Sequence, residues 1–209
     1  MSDVIVIRPR KGWAGLGLSD VWEFRELVWV LAGRDVKVRY KQTFLGAAWA
    51  LIQPIAVMAI FTIFFGRLAR IPTDGIPYPI FAFSALVPWG YFSHALASAS
   101  MSVVEHRNLV TKVFFPRLVL PLAPLVAGLV DFALALAFLV GLMFWYGIVP
   151  TAAIAVLPAL ILLTMASALA GGLWLAALNA HYRDFRYVIP FLLQLGFFGL
   201  NKFPVAVLD

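Results

Sequence analysis

The sequence predicts an all-α protein, a polytopic membrane helix bundle of about five spans preceded by an N-terminal amphipathic helix lying in the interface. Three observations carry that expectation. Of 209 residues, 63% are hydrophobic and 12% charged, against roughly 25% charged in an ordinary soluble domain. The apolar residues lie in long runs, and a helix rising about 1.5 Å per residue needs about 20 of them to cross about 30 Å of hydrocarbon. The basic residues stand between those runs, as they do when Lys and Arg are held on the cytoplasmic side of each span. The formal charge of +6 is then a membrane bias and not a nucleic-acid footprint.

The chain divides into a cytoplasmic segment over 1–43, a transmembrane region over 44–200 and a tail over 201–209. The first forty residues hold no apolar stretch long enough for a signal peptide or a span, so the N-terminus is expected to be mature and cytoplasmic. Within them Asp20-Val21-Trp22-Glu23 resembles a capping box, with Asp20 as N-cap and Glu23 at the third helical position. Val21, Phe24, Val28 and Leu31 then recur at helical spacing, flanked by Trp22 and Trp29. Such a stripe reads as a helix in the cytoplasmic interface; the alternative is a small cap packed on the spans.

Phe44–Phe65 is the first span, with a kink expected at Gln53-Pro54 because proline removes a backbone donor. Ile80–Val104 is the second, interrupted by Pro88, His94 and several serines. Leu118–Trp145 is the third, Ala152–Ala180 the fourth and Tyr187–Leu200 a shorter fifth. With the N-terminus inside, the cytoplasmic loops collect Arg8 to Lys41, then Arg107, Lys112 and Arg117, then Arg183 and Arg186. Of the basic residues in loops between spans, only Arg67 and Arg70 fall outside, a split that fixes the orientation.

Catalytic machinery is missing. Cysteine is absent, which excludes disulfide scaffolds and thiolate chemistry. None of the five lysines follows a glycine, so no G-x-x-x-x-G-K-[ST] loop exists to cradle a nucleotide. His94, His106 and His181 lack metal-ligand spacing. No catalytic, cofactor-binding or metal residues are therefore assigned, and ATP, if it drives this chain, is hydrolysed on another one.

Asp131 is the only acid inside a span, where an ionised carboxylate costs at least about 2.5–3.5 kcal/mol on insertion scales. Its functional reading is a group on a substrate or proton path. The alternative is an acid joining helices, partnered by His94 or Asn179. Trp49, Gln53, Trp89, Tyr91 and Phe92 line a conduit in one reading, since aromatic faces suit sugar rings, and belong to belt or core in the other. Ser167/Gly171 and Ala168/Gly172 place small residues four apart, which permits close helix approach. Glu105–Lys112 is a short amphipathic segment able to dock in a groove on a soluble partner; the alternative is a solvated loop.

Arg34-Asp35-Val36-Lys37-Val38-Arg39-Tyr40-Lys41-Gln42-Thr43-Phe44-Leu45-Gly46, running into Trp49 and Gln53-Pro54, strongly resembles the permease subunits of ABC exporters for bacterial polysaccharides, the O-antigen and teichoic-acid branch. Tyr78-Pro79-Ile80-Phe81 with Val87-Pro88-Trp89 looks like the same family. So do Leu109 to Arg117 with Pro121, and Tyr182-Arg183-Asp184. The resemblance implies a homodimeric permease in the inner membrane, paired with ABC ATP-binding subunits and moving lipid-linked polysaccharide outward. It implies that Trp22, Phe24, Val28, Trp29 and Leu31 lie on the interfacial helix. It places ATPase coupling on Glu105, Arg107, Asn108, Leu109, Lys112, Phe115, Pro116 and Arg117, with a second contact at Tyr182, Arg183 and Asp184. The family carries a sixth span, whereas the resemblance here fades after Leu195, so the sequence reads as a C-terminally short permease. The alternatives are a non-transporting remnant or scaffold, and a lipid or drug exporter of the same architecture.

Overall fold

The computed structural model describes residues 18–41, 47–68, 72–73, 75–149, 152–182 and 184–200. Arg8, Arg10, Lys11, Arg70, Arg183, Lys202, the 42–46 motif residues and the 201–209 tail lie outside them. Every regular element among the described residues is helical.

Two helices precede the spans, α1 (Leu18–Glu23) and α2 (Arg25–Lys41), separated by a turn at Phe24. Asp20 is not at the N-cap position of a described helix. It sits inside α1, its carbonyl accepting from the Phe24 amide at 3.2 Å, so the capping-box expectation is corrected. The Val28 and Leu31 stripe is buried, together with Ala32, against Phe115, Val119, Leu120 and Ala123 at the start of the third span. Trp22 and Trp29, which point away from that contact, are 69% and 67% exposed.

The first span is α3 (Ala47–Phe61), continued by a π-helical stretch over Thr62–Leu68. Pro54 lies within the continuous helix α3. A change of helix type comes later, at the wider turn, where the Thr62 hydroxyl donates to the Met58 carbonyl at 2.8 Å. Gly66 lies there against Tyr78, where an added Cβ would come within 2.9 Å of the ring.

The second span, α4 (Tyr78–Glu105), runs unbroken through Pro88 and His94 for 28 residues. Its serines do not interrupt it because Ser84, Ser93, Ser100 and Ser102 each donate to a carbonyl one turn back, which satisfies hydroxyls where water is absent. After α5 (Arg107–Lys112) the third span α6 (Val119–Trp145) follows. Gly147 closes it at φ +72, with its amide on Phe144 and that of Ile148 on Met143. This pairing returns two of the last carbonyls to the chain, and only glycine enters it without strain. The fourth span is a 3-10 turn over Ala152–Val156 leading into α7 (Leu157–His181), and α8 (Phe185–Leu200) completes the described chain.

Four of these helices are long and apolar enough to cross a membrane, and the Phe185–Phe197 stretch is shorter. The protein is thus a polytopic helical bundle centred on α4. Phe83, Val87, Tyr91, Ala95 and Ala99 recur every fourth residue along α4, burying one ridge against Leu125, Phe132 and Ala135 of α6 and Ala168 of α7. Small residues set the α4–α7 distance, since a Cβ on Gly172 would fall 2.6 Å from that of Ala99. Close approach of this kind replaces the hydrophobic effect, which is lost between helices in lipid.

Candidate functional site

Two constellations emerge, one at the end of the bundle and one inside it. At the end, α4 stops at His106, whose backbone (φ −98, ψ 25) leaves the helical region. The next six residues form α5 and Val113 returns to extended backbone. So short a helix is marginal alone. Leu109 packs it onto the α2–α6 cluster, and the Thr111 hydroxyl donates to the carbonyls of Arg107 and Asn108 at 3.2 Å. Phe115 is the anchor beyond it, 7% exposed, and Pro116 behind Phe115 enforces the extended entry to α6. Glu105, Arg107, Asn108, Lys112 and Arg117 are all exposed. Phe114 is 67% exposed. A cavity of about 110 Å³ opens between Val113, Phe114, Phe115 and Arg117.

Asn179, near the end of α7, donates to the Ser100 carbonyl at 3.3 Å and meets the Met101 sulfur at 3.1 Å, near the end of α4. The two helices therefore run in the same direction, and the α7–α8 corner falls at the same end of the bundle as α5. Tyr182 and Asp184 are exposed there, with Tyr182 ringed by His181 and Phe185 at 5.7 and 6.3 Å. Arg67 closes the first span at the opposite end.

Inside the bundle, the expected partners of Asp131 are corrected. Asn179 is engaged with α4, as above. The Asp131 carboxylate instead accepts from the Arg39 guanidinium and from the Tyr40 hydroxyl, both on α2. His94 joins indirectly: Arg39 Nη2 donates to its Nε2 at 2.8 Å. Because a guanidinium has only donors, that nitrogen accepts and the ring proton sits on Nδ1. Three helices thus meet at one polar cluster, with Arg39 and Asp131 34% and 27% exposed.

A second polar link joins α2 to the loop. Arg34 grips the Asp35 carboxylate with Nε and Nη2 at 3.2 and 2.9 Å, and the same Nη2 donates to His106 Nε2 at 2.7 Å. His106 Nδ1 then donates to the Ser102 carbonyl at 2.9 Å. Charge bias alone accounts for Arg34 and Arg39 in the sequence, so their contacts escape it. The available signal was Asp131 itself, since a carboxylate in a span demands a cation and the α2 arginines immediately precede the first span.

The aromatic candidates separate. Tyr91 is core, its hydroxyl donating to the Leu125 carbonyl at 3.1 Å and its ring edge-on to Phe132 at 5.4 Å. Trp89 meets Phe92 at 5.7 Å and Phe197 at 6.3 Å with tilted rings, pressed on Gly196. Trp49 and Gln53 on α3 are exposed. Among the described residues no group of three or more His, Asp or Glu is placed to hold a metal ion.

Comparison with known proteins agrees with this architecture. The chain is 33% identical over 183 residues to the O-antigen export system permease protein RfbA of Myxococcus xanthus, covering 87% of this chain and 69% of that protein. Two proteins of the same name from Klebsiella pneumoniae match at 28% and 26% over 126 residues, 60% of this chain and 48% of each of theirs. The family model described as ABC-2 type transporter matches residues 26–199, from the start of α2 to the end of α8. A helical bundle with four spanning helices and no nucleotide-cradling loop, matched over most of its length, belongs to the ABC-2 type transporter family.

Proposed function

We propose that this chain is the transmembrane permease of an ATP-driven exporter that moves lipid-linked polysaccharide across the inner membrane, working as a homodimer with a separate ABC ATP-binding subunit. The observation that carries the reading is the α5 region. A six-residue helix anchored by Leu109 and Phe115 presents Arg107, Asn108, Lys112, Phe114 and Arg117 outward, the form a soluble partner's groove accepts. Tyr182 and Asp184 at the same end extend that surface. The Myxococcus and Klebsiella relatives named for O-antigen export support the substrate class.

In this reading the α5 end is cytoplasmic, as is the N-terminus, and the basic residues gathered there agree. Trp22 and Trp29 rest at the headgroup level, where indole rings favour the interface. The second copy has room along the first span, because no residue in its apolar window is buried. ATP-driven closure moves the permease only if the partner binds its two states with different free energies, and α5 is where that difference is delivered.

The test is co-purification with the ATPase. Reversing Lys112 and Arg117 to Glu is expected to abolish it while the chain still inserts. Retained binding would sink the coupling assignment.

A further inference from the structure

We infer that α2 is a strut clamped at two levels to the α4–α5–α6 hairpin, so that α5 and α2 move as one body, with Arg39 as the positioning residue of the deeper clamp. The inference rests on the coupling reading of α5 and extends it to the far side of the molecule.

The geometry runs in one direction along two helices. Val28 and Leu31 pack on Phe115, Val119, Leu120 and Ala123, and Arg39 and Tyr40 reach Asp131. Eleven or twelve residues further along α2 thus meet a point about a dozen residues further along α6. The two helices lie side by side and parallel, and α2 follows the span inward. The apolar stripe supplies adhesion without direction, because such a stripe can slip by a turn and find similar neighbours. The polar groups set the register. Arg34 on His106 fixes α2 at the level of the loop. Arg39, shared between Asp131 of α6 and His94 of α4, fixes it again within the bundle.

Sliding α2 by one turn would part a guanidinium and a carboxylate that are 34% and 27% exposed, so water replaces the lost partner only in part. That penalty holds the clamp shut. Lys41 ends α2 and Ala47 begins α3 only six residues later. Motion imposed on α5 is therefore carried through His106 and Arg34 into α2.

The chain has no cysteine, so labels attach only where cysteines are introduced. Spin labels at Lys37→Cys on α2 and Val104→Cys on α4, both exposed positions, report the separation in nanodiscs, for the chain alone and for its complex with the ATPase under ATP and vanadate. One narrow distance is expected, unchanged between nucleotide states and retained in Asp131→Glu. Arg39→Gln and Asp131→Asn are expected to lose it. Tyr40→Phe, which removes one hydrogen bond and no charge, is expected to broaden it partly, and serves if the charge variants do not fold. A distance that shifts with nucleotide in the unaltered chain overturns the clamp, as does a distribution that stays narrow in Arg39→Gln or in Tyr40→Phe. If the ATPase does not bind yet the labels stay fixed in the chain alone and are freed by Arg39→Gln, the coupling reading falls and the clamp stands.

Discussion

Asp131 and Arg39 are 92 residues apart in the chain, yet each answers the other's charge. Asp131→Ala takes the carboxylate away from the Arg39 guanidinium and leaves a cavity beside it, while the contact with His94 Nε2 stays. For a fully buried pair, losing one member costs about 3–5 kcal/mol; with roughly a third of each side chain exposed, about 2 kcal/mol is expected here. Asp131→Asn is expected to cost less, since its amide oxygen still accepts from Tyr40. Thermal unfolding midpoints in nanodiscs order the two. A second contrast lies at Phe115 and Phe114, adjacent residues with opposite surroundings. Phe115→Ala empties a buried site and is expected to destabilise by about 3 kcal/mol. Phe114→Ala changes stability little because the ring is already exposed, and instead weakens ATPase binding in a pull-down.

At the scale of elements, glycine positions separate packing from propensity. Gly172 lies on the α7 face against Ala99, and Gly172→Ala forces two backbones apart, with an expected loss of about 1–3 kcal/mol. Gly141 in α6 has nothing within 4 Å of an added Cβ. Gly141→Ala is expected to be neutral or stabilising by up to about 1 kcal/mol, because alanine loses less backbone entropy in a helix. Melting the two variants side by side decides whether the α4–α7 approach is as tight in the membrane as the small residues imply. The prolines within the expected spans are helical. Proline and serine mark loops in water, but in α3, α4, α6 and α8 the prolines Pro54, Pro88, Pro124 and Pro190 sit within helices. In a helical bundle, contacts with neighbouring helices offer partners to the carbonyl that a proline releases.

For the molecule as a whole, the two ends of the bundle are chemically different. Arg107, Lys112 and Arg117 gather at the α5 end, beside Tyr182 and Asp184, while Arg67 and the turn at Thr73–Ile76 lie at the other. Cysteine introduced at Ile76 is expected to react with an impermeant maleimide added outside spheroplasts, and cysteine at Thr111 only after permeabilisation. The reverse pattern would invert the orientation and remove α5 from the ATPase. Nothing in this test depends on the clamp, so it bears on sidedness alone.

Hydrophobic length and charge placement are properties of neighbouring residues, and they determined the class of the protein and the position of its four long spans. Span length is set by bilayer thickness and sidedness by the cost of moving Lys and Arg across it, so both are written locally. Pairing between helices is not local. Which cation meets Asp131, whether Val28 and Leu31 face lipid or another helix, and how Asn179 is satisfied depend on segments tens of residues away reaching each other with the right rotation. Periodicity says that a face exists but not what covers it. Only the packed structure decided that, by bringing Arg39, Tyr40, His94 and Asp131 to one point, because burying a charge is tolerable only beside its complement.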